Sequence, residues 1–166
     1  MKKFRILLLI ALIAVGFNTV QAQTKIGHIN TELLLSLMPE TKALETEIQK
    51  LGQTYETELK AEQAKLEAKL QKYKAEVASQ TDEVNRQREA EVGQDQQNLY
   101  QASQIAQEDI GKKRNEKLQP ILEKAKKAID EVADEQGFVY VLEAASLIVA
   151  NGTDLLPAVK AKLGIE

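Results

Sequence analysis

Apolar residues recur every eleven positions through the middle of the chain. One ladder is Leu44, Tyr55, Leu66 and Val77. A second, four residues on, is Ile48, Leu59, Leu70 and Thr81, and a third, seven on, is Leu51, Glu62, Tyr73 and Val84. Ten of these twelve positions are apolar. A period of eleven gives about 3.67 residues per turn, close to the relaxed α-helix, so the pattern predicts nearly straight or weakly right-handed coiled coil. Leu99, Ile110, Ile121 and Val132 repeat the spacing further on, flanked by Ala106, Ala125 and Ala128. The two ladders mirror each other about residue 88. This pairs Leu44 with Val132, Tyr55 with Ile121, Leu66 with Ile110 and Val77 with Leu99, and it sets Glu62 opposite Arg114. The pattern therefore predicts an antiparallel helical hairpin over residues 41–136, with a seam that also takes in Ile48, Leu51, Leu59, Leu70 and Tyr73. Length favours a tip near 88. The turn chemistry of Gly93-Gln94-Asp95 favours 93. The tip is accordingly placed between Asn85 and Asp95, on arms of about 65–70 Å. Pro120 is expected to kink or break the return helix, because it lacks an N–H and clashes with the preceding turn.

The flanks read differently. Lys25-Ile26-Gly27-His28-Ile29-Asn30 alternates as a strand does. Thr31 to Met38 reads as a short helix ending near Pro39. Gly137 is a helix stop, followed by a strand at Phe138–Leu142, a second at Ser146–Ala150, a turn at Asn151-Gly152, and a last helix capped by Asp154, carrying Pro157 in its first turn and stopped by Gly164. The fold class is thus mainly α with a small β body. Residues 23–40 and 137–166 form that body, and the hairpin is inserted between them. Such a body is too small for an independent core and is expected to be completed by other copies of the chain.

Composition and charge sharpen this. The chain has 166 residues, 28% charged, 4% aromatic, with no cysteine and one histidine. No disulfide, thiolate metal site or cysteine nucleophile is available. His28 reads as a surface strand residue. Lys2, Lys3 and Arg5 precede an apolar run from Ile6 to Val15, then Val20-Gln21-Ala22. That is the layout of an export signal cleaved between Ala22 and Gln23, too short to span a bilayer. Its removal leaves 19 basic against 25 acidic residues. Neither a phosphate-binding glycine loop nor a zinc-binding helix motif is present, and the carboxylates lie beside lysines as a solvated face. Exposed pairs Glu56–Lys60, Glu108–Lys112, Asp109–Lys113 and Glu123–Lys127 support the helices. Neither an enzyme, a cofactor nor a nucleic-acid partner is expected. Tyr55 and Tyr73 sit on the seam, and Tyr100 falls off it, free to be exposed.

The first strand with Asn30-Thr31 and Leu33-Leu34 after it, the run Gly137-Phe138-Val139-Tyr140-Val141-Leu142-Glu143, and Asn151-Gly152-Thr153-Asp154-Leu155 together resemble the Skp/OmpH family of periplasmic chaperones. The resemblance covers essentially all of the chain after the signal. It implies a homotrimer in the periplasm, with a central β body in which Ile26, Ile29, Val139, Val141, Leu147 and Val149 are the trimer candidates. It also implies three hairpins projecting as tentacles around a cavity that holds unfolded outer-membrane β-barrel proteins without ATP. Residues 74–95 depart from the family's basic tips: they hold Lys74, Arg86 and Arg88 against six acids. A lipopolysaccharide or membrane contact is therefore not carried over. The alternative function is a structural coiled-coil spacer or tether of the envelope that binds no client.

Overall fold

A computed structural model describes residues 24–165; the expected signal and its cleavage point at Ala22 and Gln23 lie outside the described residues. Three short parallel strands make one sheet in the order β2-β1-β3: β1 (Ile26–Ile29), β2 (Tyr140–Glu143) and β3 (Thr153–Asp154). Ile26 to Ile29 align with Tyr140 to Glu143 on one side, and Gly27 and His28 with Thr153 and Asp154 on the other. Because strand side chains alternate faces, Gly27 and Ile29 point inward while Ile26 and His28 point out. Gly27 is needed for close approach. A Cβ there would lie 2.3 Å from Leu155 Cδ1 and 3.0 Å from the Phe138 ring, both in the core.

Helix α1 (Thr31–Leu37) starts at Asn30, whose side chain accepts a hydrogen bond from Leu33 N at 2.8 Å. Met38 breaks the chain, and Pro39, instead of merely ending α1, opens the long helix α2 (Pro39–Glu76), where its missing N–H costs nothing. Helix α3 (Asp82–Gln136) returns to the body and ends at Gly137 in the left-handed conformation, φ 72°. Helix α4 (Leu156–Leu163) closes the chain, with Asp154 accepting from Leu156 N at 2.9 Å. The core sits where these elements meet: Ile29, Leu34, Met38, Leu155 and Val159 are almost completely buried, packed with Phe138, Val132, Ala128 and Leu44.

The body departs from the expected strand pattern in one place. Ser146–Ala150 is not a strand: a 3-10 turn covers Ala144–Ser146, and Thr153–Asp154 is the third strand instead. The central strand has two edges only. One is taken by β2. The other is taken by the segment that carries Leu155 into the core, where Leu155 N donates to His28 O at 2.9 Å. The apolar run before it is left without a strand to pair with, so Ile148 is fully exposed and Val149 67% exposed.

The arm is an antiparallel hairpin, with α2 about 57 Å long by its 38 residues. The tip is not between Asn85 and Asp95. The chain turns at residues 77–81 through a 3-10 turn, Val77–Ser79, and Thr81 caps α3 by accepting from Val84 N at 3.3 Å. Gly93 lies inside α3. Across the arm Tyr55 meets Asp109, Lys69 meets Glu91 and Tyr73 meets Glu91, at 2.7, 2.8 and 2.8 Å. Leu66 shares a groove with Leu99, and Leu44 shares the core with Ile121. The partner of Leu66 is thus one eleven-residue repeat away from the expected Ile110, and Tyr55 meets Asp109 in place of Ile121. Glu62 does not reach Arg114; it pairs with Lys65 on its own helix at 2.6 Å. The physical reason lies at the other end. Ala125, Ala128, Val132 and Ala133 belong to the body core, so the last turns of α3 are not arm, and the midpoint moves from 88 to the low eighties. A cysteine pair at positions 66 and 99 is expected to form a disulfide within one chain, whereas a pair at 66 and 110 is not. Non-reducing electrophoresis of both variants checks the register, in a chain whose own sequence offers no competing thiol.

Pro120 does not break α3, which runs through it. Its ring leaves the Glu116 carbonyl without the usual donor. Of the expected surface pairs, Glu56–Lys60 and Asp109–Lys113 form, whereas Lys112 and Lys127 turn to Glu116 and Glu131. Burial of the seam fades outward. Leu44, Ala106, Ile121, Ala128 and Val132 are buried, Ile48, Leu51, Tyr55, Leu59, Leu66, Leu70, Tyr73, Leu99 and Ile110 are half-buried, and Val77 is exposed at the tip. Two helices alone can cover only one face of each other. Gly52 and Gly111 stand at nearly the same height on the two helices, next to the Tyr55–Asp109 bond, and a Cβ at either meets nothing within 4 Å. Replacing both by alanine is expected to stabilise the arm by about 1–2 kcal/mol. Amide exchange in residues 48–56 and 107–115 should slow accordingly.

Candidate assembly and client-holding surfaces

The outer face of the sheet carries Ile26 and His28 from β1 beside Tyr140 and Leu142 from β2. Ile26, Tyr140 and Leu142 are 48%, 59% and 42% exposed. The outer edge of β2 is unpaired, since β1 takes its other side. An open groove of about 560 Å³ runs beside that edge, lined by Ile129, Ala133, Phe138, Val139 and Val141 and also by Thr31, Asp130, Asp134 and Glu143. An unpaired edge with apolar neighbours is a template for another strand. Among the described residues, the apolar run Leu147 to Ala150, with β-branched Ile148 and Val149, pairs with no strand and leads into β3. It is tied back through His28, whose Nε2 lies 3.2 Å from Gly152 O.

The six sequence-derived trimer candidates separate here. Ile29 is buried and Val141 packs against the core, so both are used within the chain. Leu147 is half-buried. Ile26, Val139 and Val149 face solvent. Ile148, which the alternation pattern passed over, is the most exposed large apolar residue among the described ones. Its signal was legible only as an apolar segment for which the central strand has no edge left.

Glu143 ties β2 to α1. Its carboxylate accepts from the Thr31 hydroxyl, from Thr31 N at 3.2 Å and from Ala145 N at 3.2 Å. Burial pushes its pKa up, but the bonds from Thr31 and the backbone N–H groups outweigh this and hold it below the usual carboxylate value. A lowered folded-state pKa means that the stabilisation is present above the ordinary glutamate range and is lost as pH falls through the folded value. Melting temperatures measured from pH 7 down to pH 2 should therefore fall less steeply for Glu143→Gln than for the parent, from a lower starting point.

Arm electrostatics form a zipper of pairs between the two helices. Near the tip Lys69 bridges Asp95 and Glu91, and these bonds raise its pKa. Tyr73 donates to Glu91, and Arg88 pairs with Glu76 at 2.7 Å while lying 4.4 Å from the Tyr73 ring centre. Hydrogen bonds from Lys69 and Tyr73 hold Glu91 low, and bonds from Tyr55 and Lys113 do the same for Asp109. Among the described residues no three His, Cys, Asp or Glu side chains are placed to hold a metal ion, and no helix is long and apolar enough to cross a membrane. The tip's charge also changes with its position. Around the turn at 77–81 stand Lys72, Lys74, Arg86 and Arg88 against Glu76, Asp82 and Glu83. The more distant Glu89, Glu91 and Asp95, which made residues 74–95 acidic, lie along the shaft.

Comparison with known proteins agrees with this geometry. The profile of the family described as Outer membrane protein (OmpH-like) matches residues 25–163. The Chaperone protein Skp of Vibrio cholerae serotype O1 is 27% identical over 132 residues, which cover 78% of this chain and 77% of that protein. A solved OmpH-like structure from Caulobacter crescentus CB15 superposes with a TM-score of 0.76 at 18% identity, over 86% of this chain and 85% of that one. This last likeness is one of fold.

Proposed function

Because the chain belongs to the OmpH-like outer membrane protein family, we propose that it is an ATP-independent holdase that keeps unfolded outer-membrane β-barrel proteins from aggregating in the periplasm. Family membership supports a chaperone role. The observation that carries the rest is the incompleteness of the body. One chain leaves over an apolar segment at Leu147–Ala150 and an unpaired β2 edge beside a groove of mixed polarity, and on two different copies these would complement each other. Each copy then donates one segment and accepts one. A head-to-tail contact gives a ring where its rotation closes and a filament where it does not; the reading here is a closed homotrimer. Its arms, about 57 Å long by residue count, would stand around a common space. Unfolded β-barrel chains expose strands that pair with one another. An enclosure that binds the unfolded state lowers its free concentration by mass action, with no nucleotide required.

The test is aggregation of a urea-unfolded β-barrel protein on dilution, followed by light scattering without nucleotide. Suppression at a near-stoichiometric ratio of assembled chaperone is expected. Unchanged aggregation at a several-fold excess would favour the spacer or tether instead.

A further inference from the structure

We propose that the outward face of α3 between Gln96 and Gln107 is a docking band for uncharged, apolar segments of an unfolded polypeptide; this deepens the holdase reading and rests on it. Twelve consecutive residues here carry no charge, in a chain that is 28% charged. At the same height on α2, residues 57–68 expose Glu58, Lys60, Glu62, Lys65 and Glu67. The arm is therefore two-sided midway along its length, with a charged flank on α2 and an uncharged one on α3.

The band is not explained by packing within the arm. Leu99 and Ala106 fill the seam, and Tyr100 and Ile105 are 62% and 64% exposed. With about 100° between successive helical residues, Tyr100 and Ile105 flank an outer strip made by Gln97, Gln101 and Gln104, all exposed. The chemistry fits one kind of occupant. Carboxamides both donate and accept, so they can satisfy the N–H and C=O groups of an extended chain whatever its sequence. An aromatic ring and a branched aliphatic side chain at the margins supply apolar contact of the kind that anchors interfaces. With no charge on the face, covering it by apolar client surface strips no ion of its water. The charged α2 flank at the same height would incur that cost.

The experiment uses the full assembled chain and a urea-unfolded outer-membrane β-barrel protein as probe. Tyr100→Lys with Ile105→Lys should raise the concentration needed for half-suppression of aggregation about tenfold, with unchanged mass and helical signal. A control adding two lysines to the other flank, Glu58→Lys with Glu67→Lys, should leave it within twofold. A photo-cross-linker at position 100 should capture the probe, and one at position 60 should not. Equal effects from both flanks, no effect from either, or cross-links from position 100 to a second copy of the chain would overturn the docking band. Failure of the parent protein to suppress aggregation would overturn the holdase reading and the band with it. Failure of the variants alone would overturn only the band.

Discussion

Replacing Ile148 with aspartate is expected to reduce the assembled protein to single chains at micromolar concentration, as read by size exclusion with light scattering. Ile148 makes no use of its side chain within its own chain, being fully exposed, so the substitution leaves the fold of one copy alone. In the proposed ring this side chain would cover the apolar part of the groove beside β2, at Ile129, Ala133, Phe138 and Val139. Losing its burial costs about 1.5–3 kcal/mol per contact. Placing an unpaired carboxylate there costs several times more, or forces the contact open. In the proposed ring every copy would contribute the same contact, so the losses would multiply. Circular dichroism should still report the long helices. Retention of the full-size oligomer would mean that the copies meet through another surface, with the outer face around Ile26 and Tyr140 next in line.

The second large effect is expected at the junction of arm and body. Leu34 and Met38 are completely buried, where α1, the start of α2, the end of α3 and α4 converge. Truncating either to alanine should cost about 2–5 kcal/mol, the range for deleting a large apolar side chain from a close-packed site. That is a large part of the stability of a small domain. Leu70→Ala, made in the half-buried outer seam, should cost much less, because its site is already open to water. Urea unfolding at fixed protein concentration compares the three. Similar losses at all three sites would mean that the arm, and not the junction, holds the fold together.

Much of this molecule was legible in its residues. The eleven-residue ladders marked which face of each helix is apolar, and Gly137 and Gly164 marked where helices end, because those signals act within one or two turns; Asp154, expected as the last helix's cap, lies in β3, with Leu155 at the cap position. The run from Gly137 to Glu143 and the alternation at Ile26–Ile29 marked two of the three strands. The tip was not legible, and the reason is the repeat itself. Layers eleven residues apart are equally apolar, so sliding one helix past the other by a repeat scarcely changes the seam, and the turn residues at Gly93 pointed the wrong way. Register was settled by Ala125, Ala128, Val132 and Ala133, whose small side chains suit a body core as well as an arm.

The sequence by itself determined that a helical hairpin interrupts a small β body and that both helices bury a single face. Those properties follow from periodicity. Only the tertiary structure decided where the hairpin turns, which apolar residues the body consumes and which it leaves over. These depend on competition for limited places: the central strand has two edges, the core has room for Leu155 and Phe138, and the segment holding Ile148 finds neither.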